Sequence, residues 1–328
     1  MRFFIFILIL CCSLTIACSS PDPIFPLEET LEQELMPLQG ITCPTEVEIK
    51  HPFLIFLNGK RSDSLFHIYD LNNYELKSAF GIIGQGPNEI LIPELLNSQL
   101  PDFLIEDVQK NEVYSFGIDE KGSPIQRETK KPKYIGNIGR AAFINDSLYV
   151  VDAKILAPSL YLLRLQDELP LKKRNYRNPV NRNYLIDPDL ANVYANANRV
   201  VLCYEFKKQI DFLDTELNLI KRVKFKYIPS SCLGCLDRRT SYRMGYLGKR
   251  YLYALFLGTE GEIYADLSFR DAILEVFDLD GNPVIRYRLD GLFPSRFVVD
   301  ENTFTLYGCR FDGQPEDYLL IYKLKGLS

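Results

Sequence analysis

Histidine is nearly missing from this chain: only His51 and His67 occur in 328 residues. A Ser-His-Asp or Cys-His relay needs a histidine held between a nucleophile and an acid. The two available fall on different predicted elements, His51 before Pro52 in a tight turn and His67 inside a strand. Zinc is short of ligands for the same reason, since Cys232-Leu233-Gly234-Cys235 has no second cysteine pair and no histidine nearby. No Asp-x-Asp-x-Asp loop offers calcium a cage, so neither a metal nor a cofactor is expected. Positive charge is also in deficit, with 38 Lys and Arg against 43 Asp and Glu and a net charge of −5. Nucleic acid is therefore not an expected partner.

Long apolar runs are absent too, except at the amino terminus. There Arg2 precedes the run Phe3 to Leu10, which has the layout of a secretory signal and is too short for a permanent membrane span. Leu14-Thr15-Ile16-Ala17-Cys18 resembles the bacterial lipobox, in which a small residue precedes a cysteine that takes up diacylglycerol. Residues 1–17 are thus expected to be a signal peptide and Cys18 a lipidated first residue. An ordinary cleaved signal, with Cys18 left as a thiol, is the plainer alternative. The proline-rich stretch with Pro21, Pro23 and Pro26 shows no periodicity and reads as a tether over residues 18–33. The expected setting is the bacterial envelope, as an outer membrane lipoprotein of undetermined leaflet whose membrane partner is reached through the lipid.

What is present is a repeat. An alternating strand ending in an aromatic or Leu, followed by a turn with Asp, Asn or Gly, recurs with Tyr69, Phe116, Leu163, Phe212, Phe277 and Tyr322 as equivalent points. The intervals are 47, 47, 49, 65 and 45 residues. Each is long enough for four strands, a to d from the inside outward, so the expected fold is all-β: a six-bladed β-propeller with four-stranded antiparallel blades over residues 34–328. The last unit runs out of chain after strand c, so residues 34–43 are expected to supply its outer strand and close the ring.

At Phe80-Gly81-Ile82-Ile83-Gly84-Gln85-Gly86-Pro87-Asn88-Glu89 the chain resembles the TolB-like six-bladed propeller lipoproteins of Bacteroidota, whose Gly-x-Gly-Pro-Gly/Asn-Glu signature follows the first blade. The resemblance implies a fold and an envelope location, not a reaction. Gln85, Asn88 and Glu89 are candidate ligand contacts; equally, the glycines and Pro87 turn the chain from one blade to the next. No Lys-Ser or Lys-Thr follows, which excludes a phosphate cradle.

In a propeller the d-to-a and b-to-c loops share one face, and the a-to-b and c-to-d turns the other. The long loops all sort to the first face, together with Lys60, Arg61, Lys131, Lys133, Arg177, Arg182, Arg238 and Arg239. About 18 extra residues between the fourth and fifth units fall there as well, near Tyr242, Tyr246 and Tyr264. This face is the expected binding surface for a glycan, a peptide or a protein, with Arg177, Arg182, Arg238, Arg239 and Tyr242 as contacts. Solvated cations in long loops are the alternative account. Cys232 and Cys235 are expected to form a small loop disulfide, and Cys203 and Cys309 to be buried thiols in inner strands. A non-catalytic binding role is thus expected. The competing reading is a propeller lactonase, lyase or glycosidase acting at the channel mouth, with catalytic residues that the sequence does not identify.

Overall fold

In the computed structural model the repeats close into six blades. The structure describes residues 22–59, 64–86, 88–133, 141–153, 159–176, 190–205, 207–226, 241–257, 272–310 and 317–327. Blade one has strands a to d at Pro44–Lys50, Phe53–Asn58, Phe66–Asp70 and Leu76–Phe80. Blade two has them at Pro93–Leu96, Phe103–Asp107, Glu112–Ile118 and Pro124–Lys130, and blade three at Ala141–Phe143, Leu148–Ala153, Ser159–Arg164 and Lys172–Asn175. Blade four follows at Ala191–Ala195, Val200–Tyr204, Gln209–Leu213 and Leu219–Lys224, and blade five at Tyr242–Leu247, Tyr251–Phe256, Ile273–Asp278 and Pro283–Asp290. Blade six takes strands a to c from Arg296–Asp300, Thr305–Cys309 and Tyr318–Lys323. No helix occurs among the described residues.

Within a blade the strands differ in burial because each meets different neighbours. Strands b and c are covered by the adjoining blade on both faces, so Phe53–Asn58, Val200–Tyr204 and Thr305–Cys309 are buried at every position. Outer strands face water and carry charge, as in Pro124–Lys130, where five successive residues are exposed. The six equivalent points all fall in strand c. In four blades the c-to-d pairing shifts register beside one of them, at Ser115/Phe116, Phe212/Leu213, Val276/Phe277 and Ile68/Tyr69. A bulge there sharpens the twist that each blade needs to fit the ring.

Apolar contacts form along the seams between blades. Ile55, Phe66, Phe103 and Ile105 close the seam between blades one and two, and Leu160, Leu162, Val200 and Leu202 the seam between three and four. The largest cluster joins blades five, six and one with the amino-terminal segment.

That segment closes the ring. Glu34–Pro37 pairs antiparallel with strand c of blade six, from Glu34 opposite Ile321 to Pro37 opposite Tyr318. The expected tether, in contrast, is largely a docked element. Glu28–Glu32 adds a fifth strand to blade five, parallel to strand d, from Glu28 opposite Arg286 to Glu32 opposite Asp290. Phe25 is buried, lies parallel to Phe225 and meets Phe277 edge-on, and Lys226 N donates to Asp22 Oδ1 at 2.8 Å. Proline content and missing periodicity suggested a free tether, yet one phenylalanine and one leucine on the right side are enough to seat the segment. Gln33 bridges the two strands: its Nε2 donates to Leu292 O at 2.8 Å and Tyr322 Oη at 3.1 Å.

Candidate functional site

Strand a of each blade lines the central channel, and the a-to-b turns gather around one mouth of it. At that mouth lies a cavity of about 380 Å³. Four blades contribute: Lys50 and His51 from blade one, Ser98 to Pro101 from blade two, Tyr246 and Lys249 from blade five, and Val299 to Asn302 from blade six. The blade-two turn, residues 97–102, is the longest of the a-to-b connections. It reaches across the ring: Gln99 Nε2 donates to Tyr246 Oη at 3.0 Å and to Leu247 O at 3.2 Å on the opposite blade. A smaller space of about 70 Å³ lies elsewhere along the channel, among Asn97, Asn192, Arg243 and Arg296.

The acids of this mouth are spent on holding turns. Asp300 Oδ1 accepts from His51 Nε2 at 2.8 Å and from Asn302 N at 2.9 Å, and Oδ2 from Thr303 Oγ1 at 2.7 Å. Burial would raise its carboxyl, but the donors from Thr303, Asn302 and His51 outweigh burial and hold it below the usual range. Glu301 accepts from the backbone N–H groups of Lys249, Arg250 and Tyr251 at 2.9 to 3.3 Å, tying the blade-five turn to blade six. Gly248 sits against this carboxylate with no room for a Cβ.

The donors are less completely used. Lys50 Nζ donates to Glu48 Oε1 at 3.0 Å and to Ser98 O at 2.6 Å. Glu48 is fully buried, and burial pushes its carboxyl up despite Lys50 and an Asn97 Nδ2 donor at 2.7 Å. The Lys249 ammonium has no partner among the described residues, and Lys249 is exposed. Ser98 is 3% exposed, and its Oγ is buried without a hydrogen bond. Ser98, His51 and Asp300 share the cavity, but the serine hydroxyl makes no bond to His51, so the nucleophile-to-base contact of a relay is missing.

On the long-loop face the Gly-rich segment is described except for Pro87. Ile82–Ile83 and Glu89–Ile90 form a short parallel ribbon. Glu89 Oε2 accepts from Gly86 N at 2.7 Å and fills the space a Cβ would need at Gly84 and Gly86. Lys110 Nζ donates to Glu89 O at 2.6 Å. Glu89 thus serves the turn itself, while Gln85 and Asn88 are exposed, the latter at a φ of 64°. Lys131 Nζ pairs with Glu112 Oε1 at 2.5 Å.

Tyr242 does not stand on a binding face. It is fully buried, and its Oη donates to Glu275 Oε2 at 2.5 Å; Tyr246 is buried as well. Both lie in strand a of blade five, where the side chains are enclosed by neighbouring blades. Cys43, Cys203 and Cys309 are buried, and Cys203 and Cys309 lie in strand b of their blades, as expected of thiols in inner strands. Cys18, Arg177, Arg182, Arg238, Arg239, Cys232 and Cys235 lie outside the described residues. Among the described residues no group of three His, Cys, Asp or Glu is placed to hold a metal ion. The cavity at the a-to-b mouth was not legible beforehand; the length of the 97–102 turn is the signal that marks it.

Comparison with solved structures agrees with the architecture. A member of the DUF4221 family from Bacteroides vulgatus superimposes with a TM-score of 0.55 at 15% identity, over 89% of this chain and 96% of that one. At that identity the likeness is one of fold. A protein from Lactobacillus plantarum gives 0.47 at 12% identity, over 86% and 81% of the two chains. BamB from Moraxella catarrhalis gives 0.35 at 11%, over 86% and 85%. No family model matches the sequence, and no curated protein matches it.

Proposed function

We propose that this chain is a lipid-anchored envelope propeller of the TolB-like type that binds a glycan, a peptide or a protein and does not catalyse a reaction. The observation that supports binding over catalysis is the state of the acids at the channel mouth. Glycosidase or lyase chemistry needs two carboxyl groups free to meet a substrate, whereas Asp300 and Glu301 spend theirs on His51, Thr303 and the turn N–H groups. The long-loop face, with Arg177, Arg182, Arg238 and Arg239, remains the proposed surface for a large acidic partner.

The proposed anchor is Cys18. Because Asp22 is bonded to Lys226 at the long-loop end of blade four, an acylated Cys18 has a leash of only about 14 Å when fully extended, at roughly 3.5 Å per residue. That holds the outer rim of blades four and five close to the bilayer. The anchor is tested by labelling cells with an alkyne fatty acid: the chain should carry label and Cys18→Ala should not. The binding role is tested by probing an array of neutral and acidic glycans with the full chain in detergent, with and without Arg238→Glu and Arg239→Glu. Saturable binding to acidic glycans that charge reversal abolishes is the expected result; no binding to any glycan removes the glycan version and leaves a protein partner, to be sought by crosslinking.

A further inference from the structure

Charge is unevenly spread around the rim of the ring. The outer strand of blade three, Lys172–Asn175, carries Lys172, Lys173 and Arg174. That of blade four, Leu219–Lys224, carries Lys221, Arg222 and Lys224, with Lys226 just beyond it. Neither strand holds an acid, in a chain whose net charge is −5. Further round, the outermost strands turn acidic, with Glu28, Glu29 and Glu32 on blade five and Glu34 on blade six, while blade two mixes the signs at Arg127, Glu128 and Lys130. Among the described residues only Arg222 of the basic group is ion-paired, with Asp211. Lys172 and Lys221 donate to the side chains of Asn218 and Asn282, and Arg174 to Leu217 O, neutral acceptors that leave the charge in place. Arg174 and Arg222 both lie close enough to Tyr204 to act on its hydroxyl, so the two strands form one surface. Lys173, Arg222, Lys224 and Lys226 are exposed on it, as are Leu171, Leu219 and Ile220. The acids of these blades, Asp167, Glu168, Asp214 and Glu216, gather at the c-to-d turns, which leaves the long-loop end of the surface the positive one.

We infer that the rim of blades three and four rests on a bilayer carrying anionic headgroups, with these cations against the lipid phosphates. Charge complementarity is one reason. The place where the chain leads out to Cys18 is the other. Asp22 accepts from Lys226 N at 2.8 Å, at the positive end of the basic strand. From Lys221 to Lys226 is about 17 Å at roughly 3.4 Å per residue, so the cations stand about as close to that exit as the leash is long. Ile24 lies on the same segment, 81% exposed beside the buried Phe25, and enters the interface next to them. Each Lys or Arg near an anionic surface strengthens attachment about fivefold, and the anchor keeps the surface within reach. The inference rests on the anchor reading above and adds an orientation to it. The ring stands edge-on, with the acidic rim of blades five and six clear of the lipid and the long-loop face open to a partner.

The test is hydrogen exchange on the full chain reconstituted with vesicles of phosphatidylcholine, alone or at about three parts to one of phosphatidylglycerol. Flotation with the neutral vesicles reports the anchor alone. Amides of residues 172–175 and 219–226 should exchange at least about threefold more slowly on the anionic vesicles than on the neutral ones. That difference should vanish in about 1 M salt, where the screening length falls to about 3 Å. Lys173→Glu, Lys224→Glu and Lys226→Glu together should abolish it, Ile24→Ser should reduce it, and Arg127→Glu, on the outer strand of blade two, should leave it unchanged. If the chain does not float with neutral vesicles the anchor reading fails, and the inference then stands on flotation with the anionic ones that the triple variant loses. It is overturned if anionic vesicles add no protection at these strands, or if the triple variant is protected as the native chain is. It is overturned as well if heparin gives the detergent-solubilised chain the same protection while Ile24→Ser changes nothing on vesicles, which would make the rim a site for soluble polyanions.

Discussion

Two polar clusters in this ring invite comparison, because both are built across blades and only one is enclosed. Between blades four and five, Glu275 is completely buried, and both its oxygens are taken: Oε1 by Lys208 Nζ at 2.8 Å and Arg286 Nη2 at 3.1 Å, Oε2 by Tyr242 Oη at 2.5 Å. The cations are themselves enclosed, Lys208 lying over Phe256 at 3.8 Å and Phe225 at 4.4 Å, Arg286 over Phe25 at 4.5 Å. At the channel mouth the acids are equally well served, but Ser98 Oγ and Lys249 Nζ are not. A carboxylate with both oxygens matched by neighbouring cations and a tyrosine fixes a seam, whereas the mouth keeps an exposed ammonium beside open space.

The comparison is broken most severely at Glu275. Glu275→Ala leaves the enclosed Lys208 without its counter-charge and Arg286 with Glu28 alone, and should cost about 3–5 kcal/mol, read as a lowered urea midpoint with the seam between blades four and five loosened. At the mouth, Glu301→Ala strips the acceptor from three turn N–H groups. It should cost about 1–3 kcal/mol, and hydrogen exchange should speed up at residues 249–251 while blade four keeps its protection.

Asp300 sharpens the contrast through pH. Its folded carboxyl lies below its ordinary value of 3.8, so the unfolded chain takes up that proton first. The stability it contributes is complete above about pH 5 and is lost as the pH falls through the folded value. Asp300→Asn should therefore lower the midpoint at neutral pH and flatten its decline below about pH 4, measured as urea midpoints across that range. Ser98→Ala is the smallest change: with no bond to lose, it should leave stability within about 0.5 kcal/mol of the native chain or raise it. A fall of more than about 1 kcal/mol would mean that the hydroxyl belongs to a closed network like that of Glu275.

Much of the architecture could be read in advance because strands b and c are buried on both faces, which forces an apolar residue and a following turn at the same place in every blade. Tyr69, Phe116, Leu163, Phe212, Phe277 and Tyr322 carry that signal. The closing strand was legible by arithmetic, from a last unit one strand short. Glu28–Glu32 was not, because a strand lying on the outside of a blade buries one residue, Leu31, and shows the sequence nothing but charge. Tyr242 and Tyr246 misled because they adjoin a long loop, and proximity in sequence to a loop says little about exposure in strand a. The mouth cavity was hidden for another reason. Its residues come from turns in four blades, and Asp300-Glu301-Asn302 reads as ordinary turn chemistry, which it also performs.

The amino-terminal closure carries a consequence for how the chain is made. Gln33 and Tyr322 meet although 289 residues separate them, so the contact that locks the ring cannot form until almost the whole chain has left the ribosome and any translocation pore. Until then the blades stand in an open arc with the strand edge of blade six unprotected, and the entropy of joining the ends is still owed. Completion is therefore a late event that follows synthesis, and the incomplete arc is the species most exposed to proteolysis and to pairing with another copy of itself.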